Sequence, residues 1–207
     1  MSHGRVVSVA VAVCLGLLGC VAFGQGVEVK TTLENLQAAY NGESNANARY
    51  EAFAVKADEE GYHQVASLFR AAAKSEGFHV RNHANVIKKM GAEPKAEVKA
   101  PEVKSTRENV EAALKGEEYE RDTMYPAFIK KAEADNNSDA IQTFQYAKVA
   151  ETQHAKYYKE ALDNLENWKT GTKDFLVCTN CGYTTTDLTI KNCPICAFPR
   201  EKIELVN

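Results

Sequence analysis

Two Glu-x-x-His pairs constrain this chain more than any other feature. Glu76 with His79, and Glu151 with His154, stand where an amphipathic helix should carry apolar side chains. The first pair sits in the stripe Val65, Phe69, Ala72, Glu76, His79, His83, Val86, Met90, and the second in Phe144, Ala147, Glu151, His154, Tyr158, Ala161, Leu165. Both stripes advance in steps of three and four, the period of one helix face. Phe69, Ala72, Glu76 and His79 recur 75 residues later as Phe144, Ala147, Glu151 and His154, so the chain reads as a duplicated helical hairpin. A spacing of i to i+3 puts the members of each pair about one turn apart on one face, where together they can grip one ion.

The same periodicity extends to four helices of matching length, at residues 32–60, 62–90, 106–136 and 138–166. Gly61 and Gly91 end the first two, Thr31 with Glu34 and Ser105 with Glu108 form capping-box patterns, and Asn136-Asn137-Ser138 separates the last two. Residues 92–104, rich in Pro, Lys, Glu and Ala, read as an extended crossover. Two tight hairpins joined by one long crossover is the ferritin-like arrangement of a four-helix bundle. Pro126 lies inside the third helix, where it removes the bond to the Asp122 carbonyl and should bend the helix or end it early.

The first helix's inner stripe carries Glu43, and the third's carries Glu117 and Glu120. Strict repetition of Glu43 would select Glu118, but Glu117 is the residue in the stripe. Five carboxylates sharing one interior are too costly to bury unpaired, and a multivalent cation reconciles them. Oxygen donors with one imidazole per metal suit iron or manganese better than zinc or calcium. One Glu from each of two helices plus Glu-x-x-His from each of the other two is the known pattern of the di-iron carboxylate bundles. His83 has Tyr158 as its counterpart and reads as a hydrogen-bonded interior histidine; His63 reads as a surface residue. Tyr50 and Tyr125 occupy equivalent places, where they can support the ligands by hydrogen bonds or simply pack.

The remaining features bound the class. Net charge is −3, with 26% charged residues of both signs interspersed, which leaves no basic face for a nucleic acid. Residues 1–24 carry Arg5, no acid and an uncharged run from Val6 to Phe23, the composition of an export signal, and predict a periplasmic or cell-envelope protein. Ala22-Phe23-Gly24 suits ordinary cleavage, whereas Leu17-Leu18-Gly19-Cys20 resembles a lipobox in which Cys20 would be lipidated. After Trp168 the composition turns to Thr, Gly, Cys, Asn and Pro with short β-branched runs. The chain is therefore read as mainly α, with a bundle over residues 30–168 and a small β-rich metal domain over 173–207. Cys178-Thr-Asn-Cys181 and Cys193-Pro-Ile-Cys196 form two C-x-x-C knuckles eleven residues apart. Four sulfur donors admit zinc or iron, and spacing does not choose between them.

Taken together, Gly42-Glu43-Ser44, Glu76-x-x-His79, Gly116-Glu117-x-x-Glu120, Met124-Tyr125-Pro126, Glu151-x-x-His154, Cys178-x-x-Cys181-Gly182-Tyr183 and Cys193-Pro194-x-Cys196 resemble the rubrerythrins over residues 30–205. The resemblance implies a ferritin-like di-iron domain followed by a rubredoxin-like Fe(Cys)4 domain, and favours iron over zinc in the tail. It implies reduction of hydrogen peroxide to water, with electrons from an external donor protein passing through the Fe(Cys)4 centre. It further implies that His79 and Glu120 exchange on one iron with redox state, and that one subunit's tail serves the other's di-iron site in a head-to-tail homodimer. A ferroxidase or iron-storage protein is the alternative with the same bundle ligands. Ala197 departs from the Gly usual in rubredoxin itself, and the export leader departs from a family that is commonly cytoplasmic.

Overall fold

The computed structural model describes Met1 and residues 30–207, so the leader and Cys20 lie outside the described residues. Among the described residues there are five α-helices: α1 (Thr32–Glu59), α2 (His63–Lys89), α3 (Thr106–Tyr119), α4 (Tyr125–Ala134) and α5 (Ser138–Asp163). Both expected capping boxes form, with Thr31 and Ser105 accepting from the backbone of Glu34 and Glu108 and those carboxylates accepting in return. Gly61 and Gly91 sit at φ 80° and 78°, the left-handed conformation that closes a helix and that glycine adopts without a Cβ penalty. Among the described residues no helix is long and apolar enough to cross a membrane.

The third helix is not the continuous element expected over 106–136. A π-helical turn, Glu120–Met124, separates α3 from α4. There the Tyr125 N–H bonds to the Glu120 carbonyl, five residues back. Pro126 has no N–H to donate, and its ring clashes with a carbonyl in the preceding turn; widening that turn accommodates the ring without ending the helix.

Charge divides the bundle's core into two apolar halves. One half gathers Tyr50, Phe53, Phe69, Val110 and Tyr158, and the other gathers Leu36, Ile87, Tyr125, Phe128 and Phe144. Along every helix the acidic residues fall between members of the two halves: Glu43 between Ala39 and Ala46, Glu76 between Ala73 and Val86, Glu117 between Ala113 and Met124, Glu151 between Ala147 and Tyr157.

The crossover lies along α1, held by a ladder of side-chain amides. Gln37 Oε1, Asn41 Oδ1 and Asn45 Oδ1 accept from the backbone N–H groups of Lys95, Glu97 and Lys99 at 3.0, 2.8 and 3.0 Å. The Gln37 and Asn45 amides donate back to the Glu93 and Glu97 carbonyls. Four helical residues rise about 6 Å and two extended residues about 6.6 Å, so amides every fourth residue of a helix keep step with alternate residues of an extended chain.

The tail forms a three-stranded antiparallel sheet in the order β2-β1-β3, from β1 (Phe175–Cys178), β2 (Thr184–Thr185) and β3 (Ile203–Val206). Alternation along β1 joins it to two cores. Phe175 and Val177 enter the bundle's apolar cluster, Phe175 meeting Tyr157 edge-on at 5.4 Å, while Leu176 and Cys178 face the tail's own interior of Cys181, Cys193 and Ile203. The tail therefore does not rest on metal alone.

The ladder yields a test. Asn41→Ala removes the acceptor of the Glu97 amide, which should pass from protected to fast hydrogen exchange, while global stability falls by about 1 kcal/mol. Exchange read by NMR checks it; unchanged protection at Glu97 would show that the crossover is held by something else.

Candidate metal centre

The helices bring six predicted donors into one sealed layer. Glu43, Glu76, Glu117, Glu151 and His154 have no measurable exposure, and His79 is 1% exposed. Their donor atoms fall into two groups, Glu43 with Glu76, His79 and Glu151, and Glu76 with Glu117, Glu151 and His154; within each group the atoms lie within 4.8 Å of one another. His79 Nδ1 is 2.8 Å from Glu76 Oε2 and 3.4 Å from Glu151 Oε1. His154 Nδ1 is 3.0 Å from Glu151 Oε2 and 3.2 Å from Glu76 Oε1. Each Glu-x-x-His pair was expected to chelate its own ion; instead the one carboxylate of each pair, Glu76 and Glu151, belongs to both groups, which suits two neighbouring cations.

The electrostatics demand those cations. Burial, and then the neighbouring carboxylates Glu120, Glu76 and Glu151, push the Glu43 carboxyl well above its ordinary range. Burial, and then Glu76, do the same to Glu151. Burial opposes ionisation of Glu76 too, but the His154 and His79 imidazoles outweigh it and bring this carboxyl down to about 2. One oxygen each of Glu43, Glu76 and Glu117, both of Glu151, and His154 Nδ1 are buried without a hydrogen-bond partner among the described residues. So many orphaned acceptors around one point fit a metal pair.

Two tyrosines support the outer carboxylates crosswise. The Tyr50 hydroxyl donates to Glu117 Oε1 at 2.5 Å, and the Tyr125 hydroxyl donates to Glu43 Oε1. Glu120 is placed differently from the other inner carboxylates. It is half-buried, belongs to neither donor group, and lines a cavity of about 740 Å³ with Gly42, Asn45, Arg49 and Lys99 beneath the crossover. Burial and the charges of Glu117 and Glu76 raise its carboxyl well above the usual range, with Arg49 opposing. Glu118 is exposed and takes no part. His63 lies at the surface beside Asp58, and His83 is buried and hydrogen-bonded.

The four cysteines form the second centre. Cys178 Sγ lies 3.6 Å from Cys196 Sγ, Cys181 Sγ lies 3.5 Å from Cys193 Sγ, and all four are free thiols within 4.8 Å of one another. Hydrogen bonds from Cys178 and Cys181 pull the Cys193 thiol down to about 2, while hydrogen bonds with Cys178 and Cys193, with burial, push Cys181 far up. Four sulfurs within 4.8 Å of one another are a donor set that one tetrahedral cation would take. Each knuckle closes through a left-handed residue, Gly182 at φ 78° and Ala197 at φ 59°. The alanine bears a cost of about 1 kcal/mol that glycine would not.

The tail sits directly on the bundle's centre. His79 Nε2 lies 3.3 Å from the Cys181 carbonyl, and His154 Nε2 lies 3.2 Å from Thr184 Oγ1. A carbonyl only accepts, so His79 Nε2 carries a proton, while Nδ1 faces the carboxylates, where it would give up its own proton to ligate a metal. Gly182 makes the approach possible, because a Cβ there would overlap the His79 ring and the Ser75 hydroxyl; Ser75 Oγ itself donates to the Gly182 carbonyl at 2.7 Å. These contacts are made within one chain. Arg49, Thr184 and the Gln37-Asn41-Asn45 ladder escaped the sequence reading; only the ladder's four-residue rhythm could have signalled itself.

Comparison with known proteins places these features together. A family model described as rubrerythrin matches residues 34–162, and one described as the rubrerythrin rubredoxin-like domain matches residues 177–204. Nigerythrin of Nitratidesulfovibrio vulgaris is 40% identical over 176 residues, covering 84% of this chain and 85% of its own. Rubrerythrin-2 of Clostridium acetobutylicum is 35% identical over 176 residues, covering 84% and 95%. The solved structure of fully reduced, all-ferrous nigerythrin superimposes with a TM-score of 0.81 at 38% identity, covering 88% of this chain and 91% of that one. A bacterioferritin of Desulfovibrio desulfuricans shares the bundle fold at a TM-score of 0.61 and 22% identity. Two irons in the carboxylate layer and one among the four cysteines account for both donor sets, and this chain belongs to the rubrerythrin family.

Proposed function

We propose that this protein is a peroxidase that reduces hydrogen peroxide to water at its di-iron centre, drawing electrons through the four-cysteine iron centre from an external donor protein. The observation that carries this reading is the seating of Cys181, a cysteine of one centre, on His79, a donor of the other, across 3.3 Å. A storage or ferroxidase bundle has no use for such a docked sulfur centre.

When bound, the irons supply the redox equivalents: two electrons and two protons convert one peroxide to two waters. The residues of the chain do the rest. Glu43, Glu76, His79, Glu117, Glu151 and His154 would hold the pair, with Glu76 and Glu151 shared, and Cys178, Cys181, Cys193 and Cys196 would hold the single iron. The Cys181 carbonyl and Thr184 fix the imidazole rings, while Tyr50 and Tyr125 orient Glu117 and Glu43. Glu120, at the cavity rim and outside both donor groups while His79 stands inside one, would be the carboxylate that trades places with His79 in the redox-linked exchange that the resemblance implies. A π turn begins at Glu120, a departure from α-helical geometry of the kind that recurs at functional sites.

Three outcomes test the reading. Glu76→Ala or Glu151→Ala should lose the bundle irons and keep the tail iron, because each removes a carboxylate common to both groups; metal analysis showing all three irons retained would refute the assignment. Replacing Cys178 and Cys181 by Ser should leave a chemically reduced bundle that still reacts once with peroxide, yet stop steady turnover with a protein donor. Glu120→Ala should retain both bundle irons and slow oxidation by peroxide at least tenfold more than oxidation by dioxygen, on the scale that one positioned catalytic group contributes. Equal slowing by both oxidants in stopped-flow would favour a ferroxidase.

A further inference from the structure

His83 is completely buried and belongs to neither donor group. Both of its ring nitrogens are engaged, Nε2 at 3.2 Å from the Tyr125 hydroxyl and Nδ1 at 3.0 Å from Thr143 Oγ1. The Tyr125 hydroxyl spends its single proton on Glu43 Oε1, so toward His83 it can only accept, and Nε2 must carry the hydrogen. Burial, reinforced by His79 and opposed by Glu76, lowers His83 to about 3 and keeps the ring neutral. Nδ1 is then a bare lone pair, able to take the Thr143 hydroxyl. All three hydrogen bonds point the same way, from Thr143 inward to Glu43.

The outer end of this series borders a surface cavity. Thr143, 5% exposed, lines a cavity of about 140 Å³ with Asn82, Asn85 and Gln142, a polar space large enough for water. Lys89 and Asp139, paired at 2.8 Å with side chains 65% and 47% exposed, line the same cavity and mark its opening to solvent. The duplicated half of the bundle has nothing equivalent. There Tyr158 replaces His83, and its hydroxyl is buried with no hydrogen-bond partner among the described residues. Packing alone explains the Tyr158 side; an ordered polar series on the Glu43 side alone calls for a different cause.

We propose that Thr143, His83 and Tyr125 form a proton-conducting path from this surface cavity to the Glu43 edge of the di-iron centre. The proposal rests on the peroxidase reading, in which each peroxide takes up two protons along with two electrons as its O–O bond breaks. A proton from bulk solvent enters on a cavity water and passes to Thr143 Oγ1, the hydroxyl proton moves to His83 Nδ1, the Nε2 proton moves to Tyr125, and the Tyr125 proton passes to Glu43 Oε1, which hands it to a peroxide oxygen that leaves as water. Thr143, His83, Tyr125 and Glu43 each receive one proton and give one, so none ends with a changed charge. The path resets when the imidazole regains its Nε2–H form. His83 and Thr143 act through Tyr125 and Glu43, and are positioning residues.

Two measurements test this on the full chain. In protein labelled with ¹⁵N-histidine and loaded with diamagnetic zinc, His83 should show a protonated Nε2 and a hydrogen-bonded, unprotonated Nδ1, and the Nδ1 resonance should shift in Thr143→Val. A protonated Nδ1 would reverse the series and overturn the proposal. In the reduced iron protein, Thr143→Val and His83→Leu should keep all three irons but slow oxidation by peroxide roughly tenfold or more, with a larger solvent deuterium isotope effect, and Thr143→Ser should restore the rate. Wild-type rates and isotope effects in iron-replete Thr143→Val would also overturn it. If a variant loses iron, the tautomer in the wild type decides. A wild type that ignores peroxide would instead refute the peroxidase reading, leaving the resonance of Nδ1 to judge the path.

Discussion

The burial of four carboxylates in one dry layer is the constraint on which the rest of this structure depends. A lone carboxylate in such surroundings would keep its proton, and several together raise one another further. Two shared cations reverse that balance, making the most unfavourable part of the apo chain the most strongly held part of the loaded one. The apolar clusters on either side have a matching role: they keep water out of the layer, so the charges are neutralised by metal and by tyrosine hydroxyls and not by solvent.

The duplication sets up near-symmetry, and the departures from it carry the chemistry. Tyr50 and Tyr125 are equivalent and act equivalently, each holding a carboxylate of the other half. Glu120 and His83 are not matched. Both bear on Glu43, Glu120 through charge and His83 through Tyr125, so the Glu43 side is both the side facing the crossover cavity and the side with a polar route to the surface. A symmetric bundle could hold two irons equally well, but it could not treat them differently.

The tail is joined to this centre by fit as well as by charge. Phe175 and Val177 complete the bundle's core, and Gly182 lets the backbone of the first knuckle reach the histidine ring. The arrangement couples the two metal sites mechanically, because a shift of the sheet would turn the imidazole that its carbonyl holds. Ala197 closes the second knuckle in the same left-handed conformation without needing such an approach.

The helices apart from the break in the third, their caps, the crossover, the six bundle donors and the four cysteines were legible from sequence, because each is a local periodicity or spacing, and helix geometry turns such spacing directly into a shared face. Glu117 could be preferred to Glu118 for the same reason. Other features were decided by tertiary structure. That Glu76 and Glu151 are shared by both donor groups follows from how two antiparallel hairpins face each other, which no single-helix pattern encodes. The π turn arises from the clash between the Pro126 ring and the preceding turn, resolved against the pull of packed neighbours on both sides. The contacts of Gly182 with His79, and of Thr143 and Tyr125 with His83, link residues 42 to 103 positions apart, brought together only by the folded chain. Their residue types are ordinary, and their meaning lies in distance and direction, which a sequence does not contain.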